Sequence, residues 1–93
     1  MPLFALTCLD KPNGLETRMG ARPDHLKWVA GTGMLRLGGP FLDEAGDMAG
    51  SLMIIEAQDL AAARQFNADD PYTKAGLWAS VEVRPFKVTF GAL

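Results

Sequence analysis

Arg18, Arg22 and His25 form the densest polar cluster in this 93-residue chain, and they follow shortly after Asp10, the residue that ends the first apolar run. If the segment is helical, their spacings of four and three put all three side chains on one flank, beside a stripe of Met19, Leu26 and Val29. Two guanidinium groups could hold a carboxylate or phenolate there. The imidazole could move a proton, because histidine alone among side chains has an unperturbed pKa near neutrality. The competing reading is a solvated helix end with ordinary ion pairs to Asp10, Glu16 or Asp24.

Asp70 is the second candidate. Followed by Pro71, it has the pattern of a helix cap, in which the carboxylate accepts from free N–H groups and proline takes the first turn. It could instead orient His25, fixing the tautomer and making the other ring nitrogen more basic, as the supporting acid of a triad does. Ser51, after Gly50, could offer a hydroxyl to a ligand, although no nucleophile-elbow pattern surrounds it. Gly38-Gly39-Pro40 lacks the helix-opening context of a phosphate loop and reads as a place where a strand bends or a ligand approaches the backbone. Trp28, Tyr72 and Trp78 could line a pocket for a planar ring, with core packing as the alternative. Cys8 reads as a small buried hydrophobe.

The elements that must position these groups follow from short apolar runs separated by turn residues. Leu3 to Leu9 is a first strand, stopped by Asp10-Lys11-Pro12-Asn13-Gly14. Leu15 to Gly20 forms a short helical turn, and Pro23 begins the main helix through Ala30, with Gly31 and Gly33 ending it. Met34 to Leu42 and Ser51 to Ala57 are strands joined by the hairpin segment Asp43 to Asp47. Asp59 caps a helix over Leu60 to Phe66, and Asp70 caps a further short turn that ends at Gly76. Val81 to Phe90 is the last strand, with Pro85 confining it to an edge or a bulge. The order β-α-β-β-α-β predicts an α+β, ferredoxin-like domain over 1–93, in which two helices cover one face of a four-stranded antiparallel sheet. The other face is apolar and bare, and a second copy of the chain in a two-fold dimer is the simplest cover.

Composition narrows the partners. The net charge is -2 and the nine basic residues are scattered, so nucleic acid is not indicated. One cysteine and one histidine cannot assemble a usual zinc site, the acidic residues lack calcium-loop spacing, and a metal is not expected. The amino-terminal segment lacks the pattern of a signal peptide, and no apolar run reaches membrane-spanning length. A reducing, cytoplasmic compartment is the default for such a chain.

Leu9-Asp10-Lys11-Pro12, Arg18 with Arg22-Pro23-Asp24-His25-Leu26, Gly39-Pro40, Gly50-Ser51, Asp69-Asp70-Pro71-Tyr72 with Ala75-Gly76, and Val83-Arg84-Pro85-Phe86-Lys87 together resemble the YciI-like, YCII-related family over nearly the whole chain. That resemblance implies a ferredoxin-like domain dimerising into an α+β barrel, similar to muconolactone isomerases and small cofactor-free monooxygenases. It also implies an active site built on His25 and Asp70, with Asp10 and the arginines nearby. The activity attached to the family is dehydrochlorination of a chlorinated hydroxyquinol. Two expectations follow. One is a cofactor-independent lyase or isomerase in which His25 transfers a proton, Asp70 orients it, and Asp10, Arg18, Arg22 and Ser51 help to bind a small oxygenated substrate. The other is a non-catalytic small-ligand binder or accessory module using the same cleft.

Overall fold

Leu3–Asp10 forms β1, and its alternate residues Phe4, Leu6 and Cys8 are almost wholly buried in a computed structural model that describes Met1 to Leu93. The chain continues through α1 (Leu15–Thr32), β2 (Leu35–Leu42), β3 (Met48–Glu56), α2 (Leu60–Asp69), α3 (Pro71–Lys74) and β4 (Trp78–Phe86). The strands lie in the order β2-β3-β1-β4, and every neighbouring pair is antiparallel. This is the expected ferredoxin-like sheet. It places β1 between two partners, which is why β1 is apolar almost throughout.

Because side chains alternate across a strand, the registers Leu6 with Met53 and Val83, and Cys8 with Ser51 and Val81, put these residues on one face. Val29, Ala63 and Phe66 from the helices pack against that face to complete the core. Burying each large apolar side chain of such a cluster contributes about 1.5–3 kcal/mol.

The helical region differs from expectation. Leu15–Thr32 is one continuous helix of 18 residues with Pro23 inside it and Gly31 still within it; only Gly33, at φ 66°, ends it in the left-handed conformation. Pro23 and Met19, whose carbonyl Pro23 cannot serve, both lie on exposed positions, so water can replace the missing bond. The expected stripe is also absent, since Met19 and Leu26 are 49% and 46% exposed. Instead, α1 buries Arg18, His25 and Val29, seven and four residues apart on one helical face.

Asp59 caps α2 as expected, accepting from the Ala62 N–H at 2.8 Å, although the helix runs past Phe66 to Asp69. β3 starts at Met48 rather than Ser51, because the hairpin closes tightly on Asp43, whose Oδ1 accepts from the N–H groups of Ala45 and Asp47. At Gly50 a Cβ would stand 2.7 Å from the Cys8 carbonyl, so this crossing of β3 against β1 demands glycine.

β4 starts three residues earlier than expected and ends at Phe86. Pro85 sits in an edge strand, where its missing donor faces no neighbour. Lys87 to Leu93 leave the sheet and share a groove with Ala5, Leu37, Leu52 and Ile54 on the face away from the helices. The parity change after Pro85 therefore reflects departure from the strand. No helix is long and apolar enough to cross a membrane.

Candidate active site

Asp10 occupies the same face of β1 as Cys8, directed toward the helices, and the second turn of α1 brings Arg18 to it. Arg18 donates from Nε to Asp10 Oδ2 at 2.8 Å and from Nη2 to Oδ1 at 2.9 Å. Nη2 also donates to Ser51 Oγ at 3.0 Å. This fork geometry is available to arginine and not to lysine. Burial by itself would loosen the Arg18 proton, but the hydrogen bonds and charge of Asp10 more than offset it, and the guanidinium stays charged. The Ser51 hydroxyl accepts from Arg18, which leaves its own hydrogen free to donate elsewhere.

Two turns further along α1, His25 is 8% exposed, and its Nδ1 lies 2.7 Å from Oδ1 of the fully buried Asp70. Asp70 links α2 to α3, and the same Oδ1 accepts the Tyr72 N–H at 2.9 Å. Capping and histidine orientation, alternatives in the sequence, are thus performed by one oxygen. An ionised carboxylate can only accept, so Nδ1 carries a hydrogen, and in the neutral imidazole Nε2 then keeps its lone pair. Oδ2 of Asp70 is buried without a hydrogen-bond partner. The carboxylate's demand for donors therefore concentrates on Oδ1, in surroundings of low dielectric where each hydrogen bond is stronger.

A cavity of about 190 Å³ opens between α1 and strands β2 and β3. From α1 it is lined by Arg18, Arg22, His25, Leu26 and Val29; from the strands by Leu35, Gly38, Gly39, Pro40, Met48, Ser51 and Met53; and from α3 by Tyr72. An apolar cavity of about 150 Å³ admits benzene, so this one suits a single substituted ring. Gly38 and Gly39, which carry no side chain, and Pro40 form part of the β2 wall.

Four of the expected site residues, Arg18, Arg22, His25 and Ser51, line this cavity. Asp70 stands behind His25 and Asp10 behind Arg18, and neither is on the wall. Asp10 accepts both hydrogen bonds of the Arg18 fork and so supports that side chain from behind. Arg22 is half-buried and has no carboxylate partner. It brings a guanidinium without an ion-pair partner to the cavity wall.

Tyr72 is the residue of the site that sequence reasoning weighed only as one of three aromatics. Its ring stacks on His25 with centroids 4.0 Å apart and planes at 16°, and the Arg18 guanidinium carbon lies 4.7 Å from its centroid. Burial pushes the Tyr72 phenol above its ordinary range, so it stays protonated. The signal was its place directly after the capping Asp70-Pro71. Trp28 and Trp78 lie off the cavity wall: the first packs against Phe66, and the second donates to Thr73 Oγ1 at 2.9 Å.

The family model of the YCII-related domain matches residues 2–87. The chain belongs to that family. Among YCII-related proteins it is 37% identical to an uncharacterized protein of Haemophilus influenzae over 97 residues, covering 94% of this chain and 98% of that one. It is 35% identical to protein YciI of Escherichia coli, covering 95% and 99% respectively. Among solved structures, 5-chloro-2-hydroxyhydroquinone dehydrochlorinase of Burkholderia phenoliruptrix, in complex with 2,5-dihydroxybenzoquinone, superposes with a TM-score of 0.84 and 33% identity. The match covers 91% of this chain and 93% of that one. An antibiotic biosynthesis monooxygenase shares the fold at a TM-score of 0.59 and 15% identity, over 96% of this chain and 99% of the other. The YCII-related domain here thus has the architecture of the dimeric α+β barrel proteins.

Proposed function

We propose that the chain is a lyase or isomerase of small oxygenated rings that works by proton transfer between His25 and its substrate. The observation that carries this reading is the 2.7 Å bond from His25 to a carboxylate with no solvent exposure, at the wall of an open cavity. Asp70 holds the Nδ1–H tautomer, so Nε2 is the base. Arg22, the free hydrogen of Ser51 and the Arg18 edge supply donors for the oxygen that becomes anionic as the proton leaves. The proton transfer draws on side chains alone and needs no metal, flavin or nucleotide.

The similarity to a dehydrochlorinase supports a chlorinated hydroxyquinol as the first substrate to try. In that reaction His25 takes a hydroxyl proton and returns it to the ring carbon that bears chlorine, giving a keto tautomer; loss of a second hydroxyl proton then expels chloride and leaves the hydroxyquinone, for a net loss of HCl. A binder without chemistry would have Asp70 bonded only to N–H groups of its own helix; its bond to the imidazole favours catalysis. The test is chloride release and quinone absorbance with chlorinated hydroxyquinols, for the wild type and His25→Ala, with folding checked by circular dichroism. Turnover by His25→Ala equal to that of the wild type, with the fold intact, would end the proposal.

The protein is further proposed to act as a homodimer joined through the helix-free face of its sheet. Leu9, Leu37 and Phe86 on that face are 46%, 47% and 44% exposed, and Phe90 in the following segment is 98% exposed, large apolar side chains that a second sheet would cover. Light scattering after size exclusion is expected to give twice the 10.0 kDa chain mass; a single-chain mass at micromolar concentration refutes the dimer.

A further inference from the structure

The covalent bond to Cβ and the hydrogen bond from Nδ1 to Asp70 hold the His25 ring at two points and leave its plane able to rock about the line between them. A contact on the face of the imidazole limits that rocking and keeps Nε2 in one direction. Tyr72 makes that contact, with its ring 4.0 Å away and within 16° of parallel. Tyr72 is itself held on all sides. It is 2% exposed, its N–H shares Asp70 Oδ1 with the imidazole, its carbonyl accepts from Leu77 N–H at 3.1 Å, and Trp78 meets its ring edge-on at 5.5 Å.

We propose that Tyr72 is a positioning residue for His25: its backbone N–H sets the carboxylate that takes Nδ1–H, and its ring bars the imidazole from rotating, so that Nε2 stays directed at the cavity. The same ring lies against the Arg18 guanidinium, so the base and the cation of the site are referenced to one rigid side chain. The ring and the N–H do this work, and the phenol oxygen does not enter it. A misplacement of about 1 Å at a reacting group lowers rates by about 10²-fold, which is the scale of effect such a restraint controls.

His25 is the only histidine in the chain, so nitrogen-15 imidazole spectra report on it without assignment. In the wild type the His25 ring protons are expected upfield, shielded by the facing ring, and the neutral imidazole is expected as a single tautomer with hydrogen on Nδ1. Tyr72→Phe, which keeps the ring, should reproduce both signatures. Tyr72→Leu should abolish the upfield shift and bring the Nε2–H tautomer into the spectrum. Retention of both signatures in Tyr72→Leu, or wild-type ring protons at unshielded positions, overturns the proposal; the second reading stands even if the leucine variant does not fold. No substrate enters these spectra. A Tyr72→Leu protein with mixed tautomers, alongside a fully active His25→Ala, would keep Tyr72 in its role and discard the acid-base reaction.

Discussion

Arg18 closes on Asp10 with two parallel hydrogen bonds of 2.8 and 2.9 Å, and both side chains are almost wholly buried, at 3% and 5% exposure. The pair joins the end of β1 to the second turn of α1. It also turns the third Arg18 donor toward Ser51 at the cavity. A buried pair of this kind is not in itself strong evidence of stability, but breaking it from one side leaves a charge uncompensated.

Asp10→Ala is therefore expected to destabilise the protein by about 3–5 kcal/mol. Arg18→Lys, which keeps the charge and loses the fork, should remove one or two charge-assisted bonds and lower stability by about 1.5–3 kcal/mol. Urea unfolding monitored by tryptophan fluorescence measures both. Equal midpoints for Arg18→Lys and wild type would show that the fork geometry does not matter.

Asp70 should separate its two roles on substitution. Asp70→Asn can still accept from the Tyr72 N–H, so the cap of α3 survives, yet the amide no longer enforces the imidazole tautomer. Turnover is expected to fall by up to about 10⁴-fold, the loss that follows when the supporting aspartate of a triad becomes an amide, with stability nearly kept. Asp70→Ala loses the cap as well, and a further about 1–2 kcal/mol should disappear from the unfolding free energy.

Arg22 is the unpaired cation of the cavity. Arg22→Gln should weaken binding of an anionic ring by about tenfold, or about 1.4 kcal/mol, while the unfolding midpoint moves by less than about 0.5 kcal/mol. Titration calorimetry with a phenolate and its methyl ether distinguishes the cases. Equal losses for the two ligands would mean that Arg22 acts by shape and not by charge.

Cys8 predicts an alkaline limb in stability. Burial first, and the charge of Asp70 next, push its thiol from 9.0 to about 12. The folded state thus holds the proton more tightly than the unfolded chain. Stability is unaffected by this group below pH 9, and it falls as the unfolded thiol ionises between pH 9 and about 12. The decline approaches about 4 kcal/mol at the top of that window, at about 1.4 kcal/mol per pH unit. Cys8→Ala should flatten the limb, as read from urea midpoints at successive pH values. Thiol reagents at pH 8 should label the native protein only at the rate at which it unfolds.

Much of the architecture was legible because it rests on local chemistry. The apolar run Leu3 to Leu9, the turn residues after Asp10, the hairpin segment around Gly46 and the caps Asp59 and Asp70 each act within a few residues of chain, and each appears where its pattern placed it. The continuity of α1 was not legible. Pro23 reads locally as a helix start, yet the helix runs through it, and the residues it buries on either side, Arg18 and His25, are fastened to Asp10 and Asp70, which sequence alone cannot bring near. The end of β4 was missed for a related reason: the alternation of Phe86, Val88 and Phe90 fits a strand, while only the contacts made by Lys87 to Leu93 show that they run along the other face of the sheet.

For the site, the sequence by itself determined the inventory: one histidine, two nearby arginines and an aspartate poised at a helix start, with residue types that suit proton transfer beside an anion. The tertiary structure decided which of them line the cavity. The 45 residues between His25 and Asp70 must fold before their 2.7 Å bond exists. Packing alone put Asp10 behind Arg18, left Arg22 unpaired, and laid Tyr72 across the imidazole. Residue type is a property of the chain, whereas distance and desolvation are set by contacts between segments far apart in it, and those two quantities turn a polar cluster into a site.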